Sequence, residues 1–144
     1  MNDVLRLNKQ LVERLYRDLI NTGRLEPTEE LISQDFVGSR GEKGPAEFAQ
    51  TIAIVRKGFP DVRFIVEDLV AEGDRVAARW KMEGMHLAPF AGLPASQKRV
   101  TQTAIVIYQI KDAKIVRAWL QADSLGLMQQ IGAIPPLAVA APKA

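Results

Sequence analysis

The side chains best suited to moving protons in this chain are its single histidine, His86, and the aspartate at position 123. His86 follows the alternating run Val76, Ala78, Trp80, Met82 and Gly84, so an unbroken strand would bring it to their face, at the mouth of the loop beyond. An imidazole there could exchange a proton at a pocket rim, or it could hydrogen-bond the loop backbone. Asp123 ends a second run, in which Arg117, Trp119 and Gln121 share its face while Val116, Ala118, Leu120 and Ala122 share the other. A carboxylate among apolar rings is harder to ionise, which suits acid/base work. Standing before Ser-Leu-Gly-Leu-Met, Asp123 is also a good helix cap, worth about 1 kcal/mol. Trp80 and Trp119 are expected as pocket walls with Phe64 and Met82, and Gln121 as a polar contact. Tyr16, on the inner border of the first helix, is expected to bring its hydroxyl within reach of a ligand. Arg79 and Lys81 fall on the polar side of their strand and read as solvent or interface residues.

Composition removes most other chemistry. The 144 residues are 47% apolar and 25% charged, enough for one domain with a sizeable core. With no cysteine there is no disulfide, thiolate nucleophile or sulfur-bound zinc, and one histidine rules out paired-histidine sites, so no metal is expected. Nineteen basic against 17 acidic residues leave a net charge of +2 with no basic block, which argues against nucleic acid as a partner. Charges at Asp3, Arg6, Lys9, Glu13, Arg14, Arg17 and Asp18 exclude a signal peptide or a membrane span there, and a cytoplasmic protein is expected. The glycine-rich stretch 38–44 lacks the Gly-Lys-Ser/Thr ending of a phosphate loop.

Periodicity sets the elements that must position these groups. Val4, Leu7, Leu11, Leu15 and Leu19 predict an amphipathic helix over 3–21, stopped near Gly23. A short second helix is expected from Pro27-Thr28 through Leu31 and Ile32, and a third from Pro45 with Phe48, Ile52, Val55 and Phe59 as its buried stripe. From residue 61 the period falls to 2, with a strand on Val62, Phe64 and Val66, a turn at Glu72-Gly73-Asp74, and a strand from Arg75. After a loop over 87–98, the strand 99–110 is apolar on both faces at its middle, as inside a sheet, and 115–122 is the last strand. A final helix covers 123–131. The expected organisation is one domain over 1–133 and a mobile Pro/Ala-rich tail over 134–144. Helices followed by consecutive antiparallel strands make an α+β domain with helices on one face of the sheet.

Several stretches together resemble one family. FPDVRFIVEDLVAEGDRVAARW (59–80), GMHLAPFAGLP (84–94), IVIYQIKDAKIVRAW (105–119), DSLGLMQQIGA (123–133) and the opening NKQLVERLYRDLINTGRLE (8–26) are similar to SnoaL-like polyketide cyclases, also called ester cyclase-like. The resemblance implies a nuclear-transport-factor-2-like (NTF2-like) cone, three N-terminal helices packed on a strongly curved, mostly antiparallel sheet around an apolar pocket. It implies intramolecular aldol ring closure on a small apolar or aromatic carbonyl compound, without metal or organic cofactor. It puts Asp123 at the family's acid/base position and Gly84-Met85-His86 at its Gly-Thr-His motif.

The resemblance also implies a homodimer or homotetramer formed through a sheet face. Either the face with Val100, Gln102, Ala104, Val106 and Tyr108 or the one with Ile105 and Ile107 would need covering. Gly38-Ser39 stands where many relatives carry Asp-His, and Arg117-Ala118-Trp119 where many carry Glu-His-Trp. With those positions changed, three alternatives stay open: epoxide hydrolysis, isomerisation, and a non-catalytic small-molecule-binding dimer.

Overall fold

The computed structural model describes residues 2–135. The tail expected over 134–144 therefore lies, from residue 136 onward, outside the described residues. Along the chain run α1 (Asn2–Arg14), a π-helical turn (Leu15–Ile20), α2 (Thr28–Leu31), β1 (Ile32–Val37), α3 (Gly44–Gly58), β2 (Arg63–Glu72), β3 (Arg75–Met85), β4 (Arg99–Lys111), β5 (Lys114–Ala122) and α4 (Ser124–Gln130). The strands form one sheet in the order β1-β5-β4-β3-β2, antiparallel except for the β1–β5 pair. Among the described residues no helix is long and apolar enough to cross a membrane.

The first helix differs from a uniform α-helix over 3–21. Its last part widens, and the Asn21 N–H reaches back five residues to the Tyr16 carbonyl at 2.9 Å. This wider winding turns Leu15, Tyr16, Leu19 and Ile20 inward together, each 4% exposed or less. Asn21 then ties the helix to the sheet, its Nδ2 donating to the Phe64 carbonyl at 2.9 Å and its Oδ1 accepting the Phe64 N–H at 2.7 Å.

Ile32, expected as helical, instead begins β1. That strand carries exposed Gln34 and Asp35 at its centre and joins the sheet through the distant β5, at Ile32↔Ile115 and Val37↔Arg117, with a single further bridge from Val37 to Lys43. A short edge strand of this kind has no alternating apolar run to announce it.

Register decides which residues meet the helices. Trp80 lies opposite Ala104, and Tyr108 opposite Ala118. On this inner face Val76, Ala78, Trp80 and Met82 of β3 join Val100, Ala104, Val106 and Tyr108 of β4, all buried against Val12, Leu15 and Leu19. The outer face carries Val70 (64% exposed), Ile105 (54%), Ile107 (38%) and Trp119 (37%). Of the two β4 faces that might need covering, the helices therefore cover the one with Val100, and Ile105 and Ile107 remain open. Irregular register between Val66 and Asp68, and between Gln109 and Ile110, adds local twist to the curved sheet.

Candidate active site

His86 reaches the inner side of the sheet beyond β3, but in the interior rather than at a rim. It is 0% exposed, and its ring stacks on Phe59 with centroids 5.3 Å apart. The Ser96 N–H donates to Nδ1 at 3.1 Å, and Ser96 Oγ lies 2.9 Å from the same nitrogen. A nitrogen that accepts from a backbone N–H must keep its lone pair, so the neutral ring carries its proton on Nε2. Backbone bonds to Lys98 and Gln97 complete the hold on the loop after β3. That loop crosses the end of α3, where the Leu87 N–H donates to the Gly58 carbonyl and Phe90 packs on Phe59 at 5.1 Å. The rim position is thus corrected, and geometry favours the loop-holding role. Strand alternation predicts the face of a residue but not the depth at which a following loop buries it.

Asp123 lies at the junction of β5 and α4, exposed, with its N–H donating to the Thr103 carbonyl at 2.9 Å. Its Oδ1 accepts the Gly126 N–H at 2.9 Å, which makes it the cap of α4. A Cβ on Gly126 would overlap Oδ2, so the glycine leaves room for the carboxylate to fold over the helix end.

The two proton-carrying candidates do not converge. His86 pairs with Lys98 while Asp123 bonds Thr103, five residues further along β4, a separation of about 17 Å along the strand. Trp119 and Gln121 are also corrected as pocket residues: they lie opposite Ile107 and Ile105 on the outer face. Trp119 is flanked there by the guanidiniums of Arg75 and Arg117, 4.8 and 5.0 Å from the ring centroid. The inner face of β5 carries Ala118 and Leu120. In the loop before α3, Ser39 hydrogen-bonds this strand, donating to the Ala118 carbonyl at 3.0 Å and accepting the Leu120 N–H.

Tyr16, Phe64, Trp80 and Met82 do come together. Phe64 meets Trp80 edge-on at 4.8 Å and Tyr16 at 6.3 Å, with Met82 on the same side of β3. An open groove of about 500 Å³ is lined by Glu13, Tyr16, Arg17, Asn21, Arg63, Phe64 and Val66. A slightly larger depression of about 570 Å³ is walled by Asp18, Thr22, Arg24, Glu26 and Pro27 and offers no aromatic surface.

Behind Tyr16 stands Tyr108, which was not among the sequence candidates, its hydroxyl 2.6 Å from that of Tyr16. The available signal was its phase: a tyrosine on the buried side of a strand requires a partner for its hydroxyl. Burial pushes the Tyr16 hydroxyl well above the usual phenol range, and the neighbouring Tyr108 adds to the shift. Burial also raises Tyr108, so both groups are neutral donors at ordinary pH. Among the described residues no three His, Asp or Glu side chains gather as metal ligands.

Comparison with known families matches residues 10–131 to the model of SnoaL-like polyketide cyclases. The chain belongs to that family. Its fold is accordingly the NTF2-like α+β cone that this family shares. Among SnoaL-like relatives, nogalonic acid methyl ester cyclase of Streptomyces nogalater is 29% identical over 120 residues, covering 78% of this chain and 88% of that protein. Aklanonic acid methyl ester cyclase DnrD of Streptomyces peucetius is 27% identical over 125 residues, covering 85% and 77%. The solved structure of TsrD from Streptomyces laurentii aligns with a TM-score of 0.83 at 27% identity, covering 90% of this chain and 97% of that one. The SnoaL-like match spans every helix and strand except the start of α1, so Tyr16, Tyr108 and Asp123 all fall inside it.

Proposed function

We propose that this chain is a cofactor-free acid/base enzyme that closes a ring in an apolar carbonyl compound by intramolecular aldol addition. The observation that carries the reading is the family match through the whole fold, with methyl ester cyclases among the relatives. Asp123 takes the acidic proton beside a carbonyl, the resulting enolate carbon attacks a second carbonyl of the same molecule, and the new alkoxide takes that proton back from the Asp123 carboxyl. The capping bond from Gly126 holds the carboxylate in one place for that task. Tyr16, Phe64, Trp80 and Met82 form the wall against which the substrate folds, and folding it into reach supplies much of the rate. His86 holds the loop over α3, and its proton takes no part.

The direct test is incubation with nogalonic or aklanonic acid methyl ester. Ring closure gives a product of unchanged mass and altered absorbance, seen by liquid chromatography. Absence of such a product with both compounds counts against the reading. The buried His86 favours a second one, a binding protein without turnover, for which both compounds would bind and remain unchanged.

A homodimer, in the cytoplasm, completes the proposal. Val70, Ile105, Ile107 and Trp119 would form its interface on the outer face, beside the Arg79 ion pairs to Glu67 (3.0 Å) and Asp68 (2.6 Å). Ile105→Glu is expected to give a monomer in sedimentation velocity at micromolar concentration, while the native chain sediments as a dimer. A native monomer would rule this interface out.

A further inference from the structure

Two phenols carry two hydroxyl protons, and Tyr16 and Tyr108 share one hydrogen bond, 2.6 Å long, in the interior. One proton lies in that bond. For the other, neither hydroxyl has a second side-chain or backbone acceptor in hydrogen-bond contact among the described residues. A buried donor left in this way is destabilising, and an acceptor oxygen on a ligand would relieve it.

Position selects which phenol offers the spare proton. Tyr16 borders the open groove and Tyr108 does not. The arrangement that serves a ligand therefore has the Tyr108 O–H donating to Tyr16 Oη and the Tyr16 O–H directed toward the groove. Accepting one hydrogen bond makes a hydroxyl a stronger donor in the next. The π-helical turn contributes as well, because it turns Tyr16 inward beside Leu15 and Leu19. Phe64 and Val66 give the same groove an apolar wall.

We infer that Tyr16, backed by Tyr108, is a specificity contact that donates a hydrogen bond to a carbonyl or enolate oxygen on a flat apolar ligand. The inference rests on the proposed function for the class of ligand, and it assigns a different part of the molecule from Asp123. Tyr108 lies opposite Ala118, five residues along β5 from Asp123, or about 17 Å of strand. Tyr16 would thus hold an oxygen remote from the reacting carbon, with Tyr108 as a positioning residue.

The test uses 9-fluorenone and fluorene, the same tricycle with and without a carbonyl, titrated into the full chain. The ratio of 9-fluorenone to fluorene affinity is expected to fall about tenfold in Tyr16→Phe, the effect of losing one good hydrogen bond. In Tyr108→Phe, which keeps the Tyr16 donor but removes its support, the fall is expected to be about twofold to threefold. The infrared C=O stretch of bound 9-fluorenone should move to lower frequency in the native protein, less so in Tyr108→Phe, and not in Tyr16→Phe. Loss of packing alone would weaken both ligands together and would not grade the stretch. An unchanged affinity ratio in folded Tyr16→Phe overturns the inference. An unshifted carbonyl stretch in the native protein, or no saturable binding of 9-fluorenone up to its solubility limit, overturns it without recourse to any variant. No turnover is needed, so failure here is distinct from failure of the cyclase assay.

Discussion

Asp123→Asn is expected to slow ring closure by about a hundredfold to ten-thousandfold, the usual contribution of a positioned general base, while leaving the thermal midpoint unchanged. The two effects separate because asparagine caps a helix about as well as aspartate. Its side-chain oxygen can accept the same Gly126 N–H that Asp123 Oδ1 accepts at 2.9 Å. What the variant removes is basicity. Asp123→Ala removes basicity and cap together, so it should show the same kinetic loss and a stability loss of about 1 kcal/mol. Turnover of the Asn variant at the native rate would leave Asp123 as a cap alone. Steady-state kinetics on a methyl ester substrate, with thermal melts of the three proteins side by side, decides the matter.

His86→Ala is expected to have the largest effect on stability, about 3–5 kcal/mol by analogy with truncation of a buried aromatic ring. The ring is 0% exposed and stacked on Phe59, so its removal opens a cavity at the end of α3. The Ser96 N–H would also lose its acceptor, and the loop would lose an anchor beside Phe90. For a domain of ordinary stability, about 5–15 kcal/mol, such a loss is a large fraction of the whole. Ser96→Ala keeps the N–H and loses only the hydroxyl, and should cost about 1 kcal/mol. Urea unfolding measures both. Activity should fall only as the folded fraction falls; a fully folded His86→Ala protein with no turnover would restore the imidazole to the chemistry.

Much of the fold was legible because its causes are local. The four-residue spacing of Leu11, Leu15 and Leu19 marks a helix with one buried side, and Val76, Ala78 and Trp80 mark a strand that buries one side. Asp123 was legible as a cap because capping needs only three following residues. By contrast, β1 depends on a partner some 80 residues away, and its own sequence carries no strand period.

The site divided in the same way. The residue types available for chemistry, the family pattern over most of the chain and the phase of each strand follow from the order of residues alone. Tertiary structure decided which phase faces the helices, because pairing with β4 turns Ala118 and Leu120 inward and Trp119 and Gln121 outward. It buried His86, because the loop after β3 folds back over the ring. It also joined Tyr16 to Tyr108 across 92 positions of sequence, a hydrogen bond that exists only once helix and sheet have packed.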